Sequence, residues 1–362
     1  MPTYSKLAEI EATRSLRNNV DMARLSRSLA GALFLALAAA PALAQDKVKI
    51  AIIAAASDIG FYAADAKGWF KEVGVEVEFI RMDSGARMIG PMASGDIDVG
   101  TGAISAGFYN ATGRDIKLRI VADKGRNVKG MSFQGFVVRK DLVDSGAVKS
   151  LADIAGRTVA LTAPGGVDSS TLGRAMRSVG KEFEDAKIQF LGFPAQMAAY
   201  ENKAIDASIM PEHFRSLAIN RGLVVELLPI AAFRDNQMVG IVTFSEKFSI
   251  ERADVARRMM KAYVRGVRFY VDAIRDNKLA GPNAGEIIDI IARYSNLKDK
   301  AIIANMIPTA MEPVGHVNFE TLKEDLDFFR EKGMVKIDVD LNKIVDRSFI
   351  DWAIRELGPY RR

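Results

Sequence analysis

The chain has 362 residues, with 50 Lys and Arg against 45 Asp and Glu, two His and no Cys. Hydrophobic residues make up 49% and charged residues 26%, which excludes a disordered or fibrous chain, and the length suits about two domains. The lack of Cys excludes disulfides, a thiolate nucleophile, an iron–sulfur cluster, a Cys zinc site and a lipid-bearing N-terminal Cys.

Residues 1–44 read as a leader. Arg24 and Arg27 precede the apolar run LAGALFLALAAA at 29–40, and Ala42-Leu43-Ala44 closes it as an A-x-A site. Cleavage is expected after Ala44, with Met22 as an alternative start. A membrane anchor is the competing reading, but Pro41 and the high Ala content fall short of the roughly 20 strongly apolar residues a span requires.

Beyond Ala44 the chain alternates strands and helices. Strands are expected at 48–54, 75–79, 97–100 and 117–122, with helices at 60–67, 86–93 and 105–112 between them. Units of this length make an α/β fold with largely parallel strands. A strand at 133–140 leaves this set. A second set follows, with strands at 158–162, 187–192 and 207–210 and helices at 169–179, 195–203 and 214–220. A strand at 238–244 runs back. Asp254 caps a long helix whose face carries Val255, Met259, Tyr263, Val267, Tyr270 and Ile274. Two more helices are expected near 284–294 and 319–332.

An internal echo links the sets. MASGDIDV, at 92–99, closes a helix and opens a strand, and YENKAIDA, at 200–207, does the same. One plan is used twice. The simplest layout is one lobe from 45–137 and 240–362, a second lobe from 138–239, and a hinge of two crossing strands near 137 and 240.

The opening GFYAADAKGWFKEVGVEVE from Gly60 to Glu78 resembles that of ABC-transporter solute-binding proteins for sulfonates, taurine, nitrate and thiamine-pyrimidine precursors. SGDIDVG at 94–100, KSLADIAGRTVA at 149–160, KGMV at 332–335 and VDRSF at 345–349 are similar to the same family. The resemblance spans about residues 47–352. It implies an α/β type II periplasmic binding protein, a monomer with no cofactor. Its two lobes close on a small-molecule ligand and hand it to an inner-membrane ABC permease with a cytoplasmic ATPase. The leader agrees with a periplasmic location. Two departures stand out. The family often has Asn or His before the first helix, where this chain has Ala56-Ser57-Asp58-Ile59, and Lys203 replaces a usual Gly.

In open α/β sheets ligands sit beyond the carboxyl ends of strands, where helix N-termini present free N–H groups. Four segments meet that rule. Ser57, Asp58, Gly60, Phe61 and Tyr62 follow the first strand. Asp58 either faces a ligand or caps the helix, and Phe61 and Tyr62 form either an apolar wall or core. Thr101, Gly102 and Ala103 follow the strand of SGDIDVG. The Gly100-x-Gly102 pair is no dinucleotide fingerprint, since position 105 is Ser. Lys124 follows 117–122 and is either solvated or ligand-facing. The loop TAPGGVDSS, with Thr162, Pro164, Gly165, Gly166 and Ser169, is a candidate oxyanion seat with a plain capped turn as the alternative, and it is no Walker loop. Met210 and Glu212 end another strand, Glu212 facing either a ligand or solvent.

A small organic anion, sulfonate or carboxylate, is the expected ligand. An aminopyrimidine-like heterocycle is the alternative, which Asp58 and Glu212 would suit. A periplasmic sensor subunit and a pyrimidine-synthase-like enzyme are the rival functions. That enzyme needs a Cys-rich motif and a His near the first helix, and the chain has neither. His213 and His316 lack motif partners, which favours structural roles and no metal site. No Lys/Arg run interleaved with aromatics is present, so nucleic acid is not an expected partner.

Overall fold

The computed structural model describes residues 45–114 and 116–361, so the leader expected at 1–44 lies outside the described residues. Along the chain come β1 (Asp46–Ile52), α1 (Ile59–Ala66), β2 (Val75–Arg81), α2 (Gly85–Ser94), β3 (Val99–Gly100), α3 (Ala106–Thr112) and β4 (Arg119–Asn127). The second set is β5 (Gln134–Arg139), β6 (Thr158–Leu161), α4 (Val167–Arg177), β7 (Lys187–Phe190), α5 (Phe193–Glu201), β8 (Ala207–Pro211), α6 (Phe214–Asn220) and β9 (Val224–Pro229). Then follow β10 (Gln237–Phe244), α7 (Ala253–Asp272), α8 (Ala284–Tyr294), α9 (Phe319–Glu331) and α10 (Ser348–Leu357).

The two five-stranded sheets share one topology. The first runs β2-β1-β3-β10-β4 and the second β7-β6-β8-β5-β9. In each, the first three strands are parallel and the fourth is antiparallel to both neighbours. That antiparallel strand is always the one arriving from the other lobe, so each lobe is completed by a strand from beyond the crossing. Two α/β lobes joined by two crossing strands are the type II periplasmic binding protein fold that the family resemblance implies.

The sequence echo has a structural cause. Asp98 accepts the Lys49 N–H at 2.9 Å and pairs with Arg252 at 3.2 Å. Asp206 accepts the Thr158 N–H at 2.9 Å and pairs with Arg139 at 3.1 Å. Each carboxylate ties the start of one parallel strand to its neighbour. The preceding helices end alike: Gly95 sits at φ +79° and Lys203 at φ +56°. Glycine takes that left-handed conformation without steric cost, whereas Lys203 adopts it with a Cβ in place.

The core of the first lobe is built on α7. Val255, Met259, Tyr263, Val267 and Tyr270 are buried along one face. Ile274 is buried too, but in a short strand beyond the helix end. The crossings fall earlier than the boundaries at 137 and 240 expected from sequence. Residues 128–133 and 230–236 make the transits, so Val137 lies inside the second sheet and Val239 inside the first. The elements expected from sequence include no strand at β9. Its run VVELLP lacks clean alternation, and pairing with β5 makes it a strand. Among the described residues no helix is long and apolar enough to cross a membrane.

Candidate ligand-binding site

Between the lobes, at the carboxyl ends of β1, β6 and β8, lies a cavity of about 70 Å³, several times the room one water needs. Its apolar walls are Ile53, Ala55, Phe133, Val167, Phe193, Ile209, Pro211 and Val239. Its polar groups are Ser57, Asp83, Ser84, Lys124, Gln134, Thr162 and Asp168. Ser84 and Ser105 accept the third N–H of α2 and α3, which fixes where those helices begin at the cleft. The loop at Gly102 presses on the start of α2: a Cβ on Gly102 would stand 2.3 Å from the Gly85 Cα. Only glycine permits that approach, and it brings Gly85, Gly102 and Ala103 to the cavity wall together.

Of the candidates taken from sequence, Ser57, Gly102, Ala103, Lys124 and Thr162 line this cavity. Gly60, Phe61 and Tyr62 do not. They lie in the core of the first lobe, where Phe61 meets Tyr263 at 4.3 Å, Tyr62 stacks on Tyr294 at 4.9 Å, and Gly60 faces Tyr263 and Val267. The apolar face of α1 turns to the long helix because that is where the larger apolar area is removed from water.

Asp58 neither caps α1 nor faces the cavity. Its carboxylate is fully buried and accepts from Lys124 Nζ at 2.7 Å, the Thr101 hydroxyl at 2.8 Å and the Ala55 N–H at 3.1 Å. Lys124 is therefore not a solvated lysine. β4 runs past the expected strand end, and Lys124 within it is 2% exposed and ion-paired on the cavity wall. Burying a carboxylate requires such partners.

The loop at 162–170 is not a vacant oxyanion seat. The carboxylate of Asp168 accepts from the Thr162 N–H, the Thr162 hydroxyl at 2.8 Å and the Ser169 N–H at 3.1 Å. Burial raises the Asp168 pKa, and those bonds oppose the rise. Gly165, at φ +64°, and Gly166 instead meet the other lobe, the Gly165 carbonyl accepting the Ala106 N–H at 2.8 Å and Gly166 bridging to Ser105. Pro164 and Ser169 are off the cavity wall, Ser169 being buried with its hydroxyl unpartnered.

Met210 points away by strand alternation. Ile209 and Pro211 face the cavity, and Met210 joins a small core with Met197 and Tyr200. Glu212 is neither exposed nor free. It is 1% exposed and engaged by Arg215 at 2.7 Å, the Ser216 N–H at 3.1 Å and the Ile307 N–H at 3.3 Å.

Sequence reasoning missed Asp83, Ser84, Gly85, Gln134, Asp168 and Phe193. The strand-end rule reaches three of them when applied to β2 and β7: Ser84 and Gly85 open α2, and Phe193 opens α5. For His213 the sequence favours a structural role. It is buried beside the cleft, stacked on Phe214 at 4.5 Å, with neither ring nitrogen hydrogen-bonded, and burial lowers its pKa to about 4. Among the described residues no group of three or more His, Asp or Glu side chains is placed to hold a metal ion.

Comparisons with known proteins agree with this architecture. A family model described as NMT1/THI5 like matches residues 56–273. A solved protein from Bordetella bronchiseptica RB50 superposes with a TM-score of 0.70 at 19% identity, covering 86% of this chain and 98% of that one. The periplasmic aliphatic sulphonate binding protein SsuA from Escherichia coli gives a TM-score of 0.64 at 18% identity, covering 84% and 99%. The periplasmic nitrate-binding protein NrtA from Synechocystis PCC 6803 gives 0.70 at 15%, covering 86% and 89%. A comparison with curated proteins returns no match.

Proposed function

The chain belongs to the NMT1/THI5-like family, and from that premise we propose that it is the periplasmic solute-binding component of an ABC import system. It captures a small organic molecule between its lobes and releases it unchanged to a membrane permease driven by an ATPase. The similar solved proteins named for sulphonate and nitrate binding support the transport reading, and the leader read from sequence supports export. Capture rather than turnover is supported by Asp58, Asp168 and Glu212, three carboxylates around the cleft that are each engaged by neighbours.

For the ligand we favour a flat, largely apolar, neutral or cationic molecule of the aminopyrimidine kind over an organic anion. The charge inventory carries this. Among the described residues the cavity wall holds one cation, Lys124, and Asp58 neutralises it at 2.7 Å, while Asp83 and Asp168 remain on the same wall. An anion would enter a cleft with an excess of carboxylates. Phe133, Phe193, Ile53 and Ile209 offer ring-sized apolar walls. One observation favours the anion: the Lys124 ammonium has three donors and Asp58 engages one of them.

A thermal-shift screen tests the choice. A ligand at 100 times its Kd adds about 2.7 kcal/mol of stability. Aminopyrimidines are expected to raise the melting temperature, and alkanesulfonates and benzoates are not. Stabilisation by the anions alone overturns the ligand class, and chemical conversion of any ligand overturns the capture reading.

A further inference from the structure

His213 is an anomaly that capture alone does not explain. It is 1% exposed, yet Nδ1 and Nε2 both lack a hydrogen-bond partner. Leaving buried polar atoms unpaired costs their full desolvation with no bond to offset it. The ring sits where the lobes meet. It stacks on Phe214, Phe214 stacks on Phe193 at 5.2 Å, and both phenylalanines close against Ala55 and Ile53 of the first lobe. One residue away, Glu212 of the second lobe accepts the Ile307 N–H of the first.

We propose that His213 makes closure of the cleft depend on protons: the lobes shut over the neutral ring, and acidification drives them apart. In the closed form the ring is held in an apolar stack with no acceptor for an added N–H. In a parted form water reaches it and solvates the imidazolium. The charges around the ring leave this balance in place. Among the described residues Asp58, from the turn after β1, is the charge that bears on it, and it favours the protonated ring less than burial disfavours it. Asp58 is itself neutralised by Lys124 of β4. On the ring's own segment Glu212 and Arg215 pair with each other, and Glu226 of β9 pairs with Arg215. On the helix Lys300–Asn305, which packs against α6, Lys300 pairs with Asp289 and Asp299 caps its own helix. At the start of α5, Asp83 lies against Gly192.

The size of the effect follows from linkage. The buried ring titrates at about 4 and a solvated one at about 6.5, so the closed form weakens by about 20-fold against the open form between pH 7 and pH 5. Ligand affinity falls by the same factor, because ligand and proton compete through one equilibrium. This inference rests on the reading of the lobes as jaws.

The test needs no ligand. A Cβ at Gly192 would stand 3.2 Å from the Asp83 Cβ, near the spacing of a disulfide, and the chain has no other Cys. In the full chain carrying Asp83→Cys and Gly192→Cys, oxidation locks the lobes closed and reduction frees them. The chain has two histidines, and His316 is exposed, so NMR of the labelled rings follows His213 against an internal reference; His213→Phe assigns the signal. The His213 pKa is expected below 5 when locked and near 6.5 when reduced. Equal values in the two states overturn the proton gate and leave capture standing. Failure of the bridge to form overturns both, since the lobes then do not meet at this edge. A second measurement covers a variant that folds poorly. Lowering pH from 6.5 to 4 is expected to reduce the melting temperature of the locked protein more than that of its His213→Phe form, and parallel curves overturn the gate.

Discussion

The two lobes meet along two seams of opposite chemistry. On one side α4 packs on α9, and the contact is polar. Arg234, from the second crossing, donates to Asp325 of α9 at 2.7 Å and to the Ser170 hydroxyl of α4 at 3.1 Å, all three buried. Ser170 also bonds Asp325 directly. Outside this group, Arg174 pairs with Glu324 at 2.9 Å, Arg177 with Glu331, and Lys332 with Glu184 at 2.8 Å. On the other side Phe193 and Phe214 press on Ala55 and Ile53, with His213 unpaired behind them. Directional bonds among buried charges hold one geometry, because each broken bond strands a charge. An apolar contact is non-directional and parts at a cost set by area alone. The difference separates the two edges: the polar seam holds one geometry through buried directional bonds, and the apolar seam does not.

The contrast breaks most visibly at Arg234. Arg234→Met strands Asp325 and is expected to cost about 3–5 kcal/mol in urea unfolding. A loss under about 1 kcal/mol would mean that the polar seam holds nothing. Close behind comes titration, which separates a seam group from a group inside one lobe. Burial raises Asp123 of β4 to about 6, with Arg126 opposing the rise. Its stabilising contribution is present below about 3.8 and is lost as pH rises through 6, whereas that of His213 is present above about 6.5 and is lost as pH falls toward 4. The stability of Asp123→Asn relative to the parent chain is therefore expected to rise by about 2 kcal/mol from pH 4 to pH 6. A flat difference across that range would remove Asp123 from the balance.

Smaller changes sharpen the comparison. A Cβ on Gly173 of α4 would stand 2.2 Å from the Phe328 ring of α9, so Gly173→Ala is expected to cost about 1–2 kcal/mol despite its better helix propensity. Phe193→Leu on the apolar seam is expected to cost about 1 kcal/mol in unfolding and to weaken ligand binding more than Gly173→Ala does, by calorimetry. The reverse ranking for binding would tie the ligand to the polar seam instead. Arg177→Gln removes a half-exposed pair and is expected to change stability by less than about 1 kcal/mol.

Much of the fold is legible in the sequence, because it follows from local patterns. The alternation of strand and helix, the echo around Asp98 and Asp206 and the face of α7 rest on residue order alone. Ser57, Gly102, Ala103 and Thr162 were reached by the strand-end rule, which needs only the order of elements. What sequence leaves undecided is which way a side chain turns and which partner takes it. Phe61 and Tyr62 fit a cleft wall and a core equally well until α7 and α8 are placed behind them. Asp58, Lys124, Asp168 and Glu212 are polar residues on the segments that lead to the cleft, and sequence does not show which partner takes each, the Lys124–Asp58 pair existing only once distant segments meet.

Local sequence thus determined the lobes, their duplication and the end of the sheets where a guest would lie, since hydrophobic period and turn chemistry act over a few residues. Tertiary structure alone decided the charge of the cleft, the place of the crossings and the contrast between the seams. Those depend on contacts such as Lys124 with Asp58 and Arg234 with Asp325, between residues 66 and 91 positions apart, which no local pattern encodes.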